Sequence, residues 1–301
     1  MPKTQIPEFF INAFYESKFK DNIFVIKVGG KIAEDEKALA NLLGNMRDLA
    51  HKGIKILMVY GGGHAMDEEA KRNNIEIKKI NGRRVTNESC MAVMRHVVAG
   101  DLSLAVSSAM AKVKLDGLSL NAVPVDWMNV QMRSKKPIDY GLVGDIHGVN
   151  VRPIHRMFRF TNFIACACVC LSEDGTVLNV NADTVATELA VGLQAHKLMF
   201  FSDVDGVLIN GKTADVITDK QIDKLIKDGT ATGGMKVKLE NCKAALNAGV
   251  RRIHLLSGLR KDALKREIYE SVGPGTMLFS ERERKAYENE IDTQKMIEGK
   301  K

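Results

Sequence analysis

The 301-residue chain contains no run of about 18 apolar residues, so a membrane span is not expected. It also shows no charged-then-apolar segment at its start, so a secretory leader is not expected. Cysteine is scarce: five residues, at 90, 166, 168, 170 and 242, give no disulfide framework. A reducing cytoplasm is the expected compartment. Aromatic residues are few (6%, with one Trp), and no block of five or more basic residues occurs despite a net charge of +7. Nucleic-acid binding calls for a basic stripe with stacking aromatics, so the positive balance is assigned to small anionic substrates. No G-x-x-x-x-G-K-[ST] is present, and "GGGHAM" (61–66) fails G-x-G-x-x-G at its last position. P-loop enzymes and simple dinucleotide dehydrogenases are both disfavoured. Internal repeats and low-complexity linkers are absent as well.

What is present is an alternation. "NIFVIKV" (22–28) reads as a buried strand ending in Gly29-Gly30, and "DEKALANLLGNMRDLAHKG" (35–53) as an amphipathic helix closed by Gly53. "IKILMVY" (54–60) is the next strand, ending in Gly61-Gly62-Gly63, and 64–74 is again helical. After a hairpin-like section at 134–148 the pattern resumes. Strands are expected at 163–171, 197–204 and 251–257, and helices at 182–195 and 233–249. Strands alternating with helices predict an α/β fold: a three-layer αβα sandwich around a central, mostly parallel sheet, continuous through the chain. At the N-terminus, Ile6, Phe9, Phe10, Ala13 and Phe14 share one helical face, and 280–301 is densely charged.

In open α/β sheets ligands gather where strands end and helices begin. Unpaired backbone N–H groups and the positive end of the helix dipole lie there, and glycine admits an oxyanion without a Cβ in the way. Two strand–glycine–helix corners side by side suit two anions, and Lys27 stands two residues before the first. "NGRRVT" (81–86) adds guanidinium groups suited to a carboxylate. "NVNADTVATELA" (179–190) brings Asn179, Asn181 and Asp183 to a strand-to-helix junction. "TGGMKVKL" (232–239) is a third glycine corner, carrying lysines 236 and 238.

These pieces, together with "DYGLVGDI", "SDVDGVL" and "GPGTML", occur in an order that resembles the amino acid kinase family, most closely its acetylglutamate kinases, over residues 22–279. The resemblance implies transfer of the γ-phosphoryl of MgATP to the side-chain carboxylate of N-acetyl-L-glutamate, a step in arginine biosynthesis. It also implies a layout of N-terminal helix (1–20), amino-acid-binding and dimerisation lobe (21–195), ATP-binding lobe (196–280) and charged tail (281–301). By that resemblance Lys27 touches the transferring phosphoryl, Lys238 the nucleotide phosphates, and Asp183 orients both ammonium groups. Gly29, Gly30, Gly62 and Gly63 lend backbone donors, the first two on the nucleotide side and the last two on the substrate side. Arg84, chosen over Arg83, and Asn179 hold the amino acid. Ser202, Asp203, Val204, Gly234 and Met235 line the nucleotide pocket. The family's spacing selects Lys238 over Lys236. Mg²⁺ enters with ATP, and no protein metal cage is expected.

A carboxylate acceptor, ionised at neutral pH with a pKa of about 4, needs no general base, which fits a set of residues without a histidine–acid pair. Cys166, Cys168 and Cys170, alternating along an expected strand, read as small buried apolar side chains rather than metal ligands. His64 stands where acetylglutamate kinases more often have proline, and either meets substrate or caps its helix. "FIACACVC", Ser103, "PVDWMN" (124–129) and "GLRKD" (258–262) depart from the acetylglutamate kinase pattern. An N-acetyl-aminoadipate kinase and a catalytically silent amino-acid sensor are the competing readings. The partners implied are the acyl amino acid, ATP and further copies of the chain. Those copies form a homodimer, extended to a hexamer if the N-terminal helix interlaces dimers rather than packing on its own sheet.

Overall fold

The computed structural model describes residues 8–270 and 273–297. One eight-stranded sheet organises them: β1 (Ile23–Val28), β2 (Lys55–Tyr60), β3 (Leu118–Leu120), β4 (Phe163–Ala167), β5 (Lys197–Ser202), β6 (Val216–Thr218), β7 (Arg252–Ser257) and β8 (Thr276–Phe279). The spatial order is β6-β8-β7-β5-β1-β2-β4-β3. Neighbours are parallel except β7 and β8, so β8 and β6 run against the rest. Parallel strands require crossovers, and buried parallel sheets require cover on both faces. The helices that supply these are α1 (Glu8–Phe19), α2 (Gly30–Glu34), α3 (Glu36–His51), α4 (Gly63–Arg72), α5 (Glu88–Lys112), α6 (Val151–Met157), α7 (Ala182–Gly192), α8 (Asp219–Lys227), α9 (Gly233–Asn247), α10 (Ala263–Tyr269) and α11 (Arg284–Ile297). The architecture is the expected αβα sandwich, and its sheet is continuous.

α3 shows how the chain encodes one of these helices. Asp35 caps it by accepting the Ala38 N–H at 2.8 Å. Leu39, Leu42, Leu43, Met46 and Leu49 recur at intervals of three and four and are buried. Gly53, at φ +84°, then turns the chain away.

One local expectation changes. The run 163–171 is not one strand. β4 stops at Ala167, level with Tyr60 at the end of β2, and 169–171 leaves the sheet to pair antiparallel with 177–179. The chain bends there because β2 offers no further partner, and all three cysteines stay buried. Burial pushes the thiol of Cys166 up to about 12 and that of Cys168 to about 11, so they keep their protons.

Of the apolar face expected for the N-terminal helix, Ala13 and Phe14 have described side chains. Tyr15 and Phe19 are buried, with Phe19 against Phe24 and His196 and Tyr15 against Tyr269, whereas Ala13 and Phe14 remain exposed. Ile6 and the side chains of Phe9 and Phe10 lie outside the described residues. The charged tail forms α11, which seats Tyr287 on Phe279 with ring centroids 4.9 Å apart, and residues 298–301 fall outside the description.

α5 contains a central π-helical stretch, Val97–Leu102. It has the length and apolarity to cross a membrane, but half of that window is buried inside the protein, as in a core helix. At the edge of the sheet where β5 begins, Lys197 and His254 meet Glu267 at 3.4 and 2.7 Å. Burial opposes the charge of Glu267, yet His254 and Lys197 outweigh it and hold the carboxyl down to about 2.

Candidate active site

The opposite edge, where the parallel strands end, is built differently. α3, α5, α7 and α8 each begin with a side chain that accepts a backbone N–H: Asp35, Asn87, Asn181 and Thr218. α2, α4 and α9 begin at Gly29, Gly62 and Thr232 with no side-chain cap. The N–H groups that open these helices are therefore available to an incoming acceptor, except that of Ala65 in α4, which Glu34 accepts. These are the three glycine corners.

The first two corners touch. A Cβ added to Gly30 would lie 3.3 Å from the Gly63 nitrogen and 2.9 Å from Glu34 Oε1, so a side chain there would press the two corners apart and displace Glu34. Gly29 abuts the third wall, its N–H donating to the Phe201 carbonyl at the end of β5 at 2.8 Å. In α9, Gly233 takes φ +51°, which a side chain would strain, and open space surrounds both Gly233 and Gly234. Met235 packs against the core, and Val204 is exposed.

Between the corners lies a charged triad. Lys27 is the penultimate residue of β1, Asp183 stands in the first turn of α7, and Lys238 lies in the second turn of α9. Lys27 Nζ is 2.8 Å from Asp183 Oδ1, an ion pair without hydrogen-bond alignment. Lys238 Nζ donates to Asp183 Oδ2 at 3.1 Å and stands over the Phe200 ring, 4.9 Å from its centroid. All three side chains are under one-fifth exposed. Burial alone would raise the Asp183 carboxyl, but Lys27 and Lys238 outweigh it and hold it down to about 2. The triad keeps a net charge of +1 where water is largely excluded, which suits an anion bearing more charge than one carboxylate. Lys236 instead reaches Glu240 at 4.0 Å, with both side chains about half exposed.

A second cluster assembles beside α4. Arg84 donates to the Asp67 carboxylate and, at 3.2 Å, to the Gly63 carbonyl, whereas Arg83 is exposed. Asn179 donates to Thr86 Oγ1 at 2.9 Å. Thr86 also bonds through its backbone to Tyr140 and Leu142, and the Asn179 N–H donates to the Leu142 carbonyl at 2.9 Å. A Cβ on Gly141 would strike the Thr86 carbonyl at 2.3 Å. "NGRRVT", "DYGLVGDI" and "NVNAD" thus converge on one spot. Asn179 reaches this spot through Thr86, two residues beyond Arg84, while no direct contact joins Arg84 to the lysine triad.

Some site neighbours escaped sequence reasoning. Lys31, directly after the first glycine pair, meets Asp203 at 2.6 Å. Glu34 accepts the Ala65 N–H at 3.0 Å and meets His64 Nδ1 at 2.7 Å. His64 is therefore bound to the neighbouring helix, and Glu34 serves the start of α4 from outside it. Arg260 meets Asp205 at 2.7 Å. Adjacency to the glycines was a readable signal for Lys31; Glu34 had none.

The family model "Amino acid kinase family" matches residues 22–257. The chain is 32% identical to the acetylglutamate kinase of Methanobrevibacter smithii over 280 residues, covering 88% of this chain and 96% of that one. It is also 32% identical to the acetylglutamate kinase of Nitratiruptor sp. over 284 residues, with coverages of 92% and 98%. Among solved structures, the N-acetylglutamate synthase of Neisseria gonorrhoeae superposes with a TM-score of 0.82 at 21% identity, covering 91% of this chain and 63% of the synthase. A Giardia carbamate kinase shares the fold with a TM-score of 0.61 at 16% identity. With the uncapped glycine corners, the lysine–aspartate–lysine triad and these likenesses together, the chain belongs to the amino acid kinase family.

Proposed function

We propose that the protein transfers the terminal phosphoryl group of MgATP to the side-chain carboxylate of N-acetyl-L-glutamate, yielding an acyl phosphate and ADP within arginine biosynthesis. A carboxylate oxygen forms the new bond to phosphorus, the bond to the bridging oxygen of ADP breaks, and its electron pair leaves with ADP. The acceptor is already ionised, so no proton has to be removed. The obstacle is repulsion: two like unit charges about 4 Å apart oppose each other by about 4 kcal/mol at an effective dielectric of about 20.

The triad supports this reading best. Lys27 faces the transferring group and Lys238 the leaving side, and Asp183 keeps both ammonium groups aimed into one cleft before substrate arrives. N–H groups at Gly30, Gly62 and Gly63 supply further donors, whereas that of Gly29, expected to act with them, is already committed to the Phe201 carbonyl and leaves Gly29 a spacing role, with Gly234 and Met235 closing the nucleotide side beside Ser202, Asp203 and Val204. Arg84 exchanges part of its bonding to Asp67 for the amino acid's α-carboxylate, with Asn179 beside it. Mg²⁺ is carried in with the nucleotide. The working form is a cytoplasmic homodimer, and the exposed Ala13–Phe14 side of α1 offers a surface for higher assembly.

Hydroxylamine trapping of acyl phosphate tests the reaction, with MgATP and N-acetyl-glutamate, glutamate, aspartate or N-acetyl-aminoadipate as acceptor. Hydroxamate is expected with N-acetyl-glutamate. A stronger signal with N-acetyl-aminoadipate reassigns the acceptor, and silence with all four leaves a non-catalytic amino-acid sensor.

A further inference from the structure

Lys31 has no role in the reaction as described, yet its side chain links the first glycine corner to the turn that follows β5. It leaves α2 next to Gly29-Gly30 and meets Asp203, on the turn that follows β5, at 2.6 Å. The partners lie 172 residues apart, and their side chains are 62% and 41% exposed. An ion pair this exposed contributes little to folding, because water screens it and two flexible side chains must be ordered. The turn does not need it for placement. Gly29 N–H donates to the Phe201 carbonyl and Gly258 N–H to the Ser202 carbonyl, both at 2.8 Å, so β1 and β7 already hold the turn on its two sides. Arg260 secures the same turn again through Asp205 at 2.7 Å.

The Asp203 carboxyl is held below the usual range chiefly by the hydrogen bond from Lys31, which outweighs burial, and the Lys238 charge adds to the lowering. Asp203 therefore sits within electrostatic reach of the triad. A single carboxylate, flanked by one loosely held lysine and one catalytic lysine, occupies a position that a polyphosphate would compete for.

We propose that Lys31 is a ligand for the nucleotide polyphosphate, parked on Asp203 until nucleotide binds and then transferred from that carboxylate to a phosphoryl oxygen. This rests on the nucleotide-dependent reaction proposed above. A lysine suits the exchange because its ammonium is a point charge on a flexible stem, able to change acceptors without a fixed approach angle. Breaking the exposed pair costs little, while a polyphosphate offers more negative charge than Asp203.

The test is calorimetric binding of adenosine, AMP, ADP and a non-hydrolysable ATP analogue, the last two with Mg²⁺, to the wild type, Lys31→Met and Lys31→Arg. Lys31→Met keeps the length of the side chain and removes its charge. Its affinity should fall roughly tenfold for the ATP analogue and ADP and less than about twofold for AMP and adenosine, with Lys31→Arg restoring most of the loss. Equal weakening across all four ligands would assign Lys31 to holding the Asp203 turn, and an unchanged ATP-analogue affinity would remove it from the site. Either result overturns this inference while leaving the reaction standing. A wild type that binds none of the four overturns both.

Discussion

Replacing Asp183 with asparagine tests the centre of the mechanism, because it removes one charge while keeping the shape and one acceptor atom. In the wild type two ammonium groups meet this carboxylate at 2.8 and 3.1 Å. Without it they face each other uncompensated, and two like charges about 4 Å apart repel by about 4 kcal/mol at an effective dielectric of about 20. The lysines will turn apart to relieve that repulsion and lose their common aim. Turnover should therefore fall a hundredfold or more, the usual scale for loss of a preorganised electrostatic contact.

Stability supplies an independent reading of the same charge. The Asp183 carboxyl is held from its ordinary 3.8 down to about 2. That difference corresponds to roughly 2 kcal/mol of folding stability through linkage. Because the folded value is the lower one, the contribution is complete above the ordinary value and disappears as pH falls through the folded one. Denaturant unfolding followed from pH 7 to pH 2 should show wild type and Asp183→Asn separated by roughly 2 kcal/mol near neutrality. The gap should begin to narrow below about pH 4 and be nearly closed by about pH 2, where the folded wild-type carboxyl takes up its proton. ADP release measured by a coupled assay completes the experiment. A variant turning over within about threefold of wild type, or a gap that stays constant down to pH 2, would refute the reasoning.

Lys27→Ala should also cut turnover a hundredfold or more, and so should Lys238→Met. Lys236→Met should stay within about twofold, because its ammonium engages only exposed Glu240, and steady-state kinetics of the three variants would separate the roles. Arg84→Ala should raise the KM for the amino acid more than that for ATP; the opposite ranking would move Arg84 to the nucleotide side. Far from the cleft, Glu267→Gln leaves Lys197 buried without its counter-charge and should cost about 3–5 kcal/mol, read as a lower denaturation midpoint with the ratio of the two KM values unchanged.

Much of this was legible along the chain, for a local reason. Alternating apolar runs, glycine corners and capping residues act through neighbours two to four positions away, and that spacing is written directly in the sequence. Asp35 before the Leu39–Leu49 face, and Asn181 before α7, are examples: the cap and the buried stripe of each helix lie within one short window. Resemblance to a family extended the reading from elements to roles, and so singled out Lys27, Asp183 and Lys238 before any geometry was known.

Other features needed the fold. The break after Ala167 depends on where β2 ends, more than a hundred residues earlier. Which side of α1 is buried depends on Phe24, His196 and Tyr269 meeting beneath it. The partners of Lys31, Arg84 and His64 follow from the strand order, which sets β1 between β5 and β2 and so brings separate corners within reach. Sequence alone determined that strands would end in glycine-rich turns beside lysines. Only tertiary structure decided which charges meet across those turns, because Coulomb attraction acts through space and chain spacing says nothing about distance once the sheet has closed the gap.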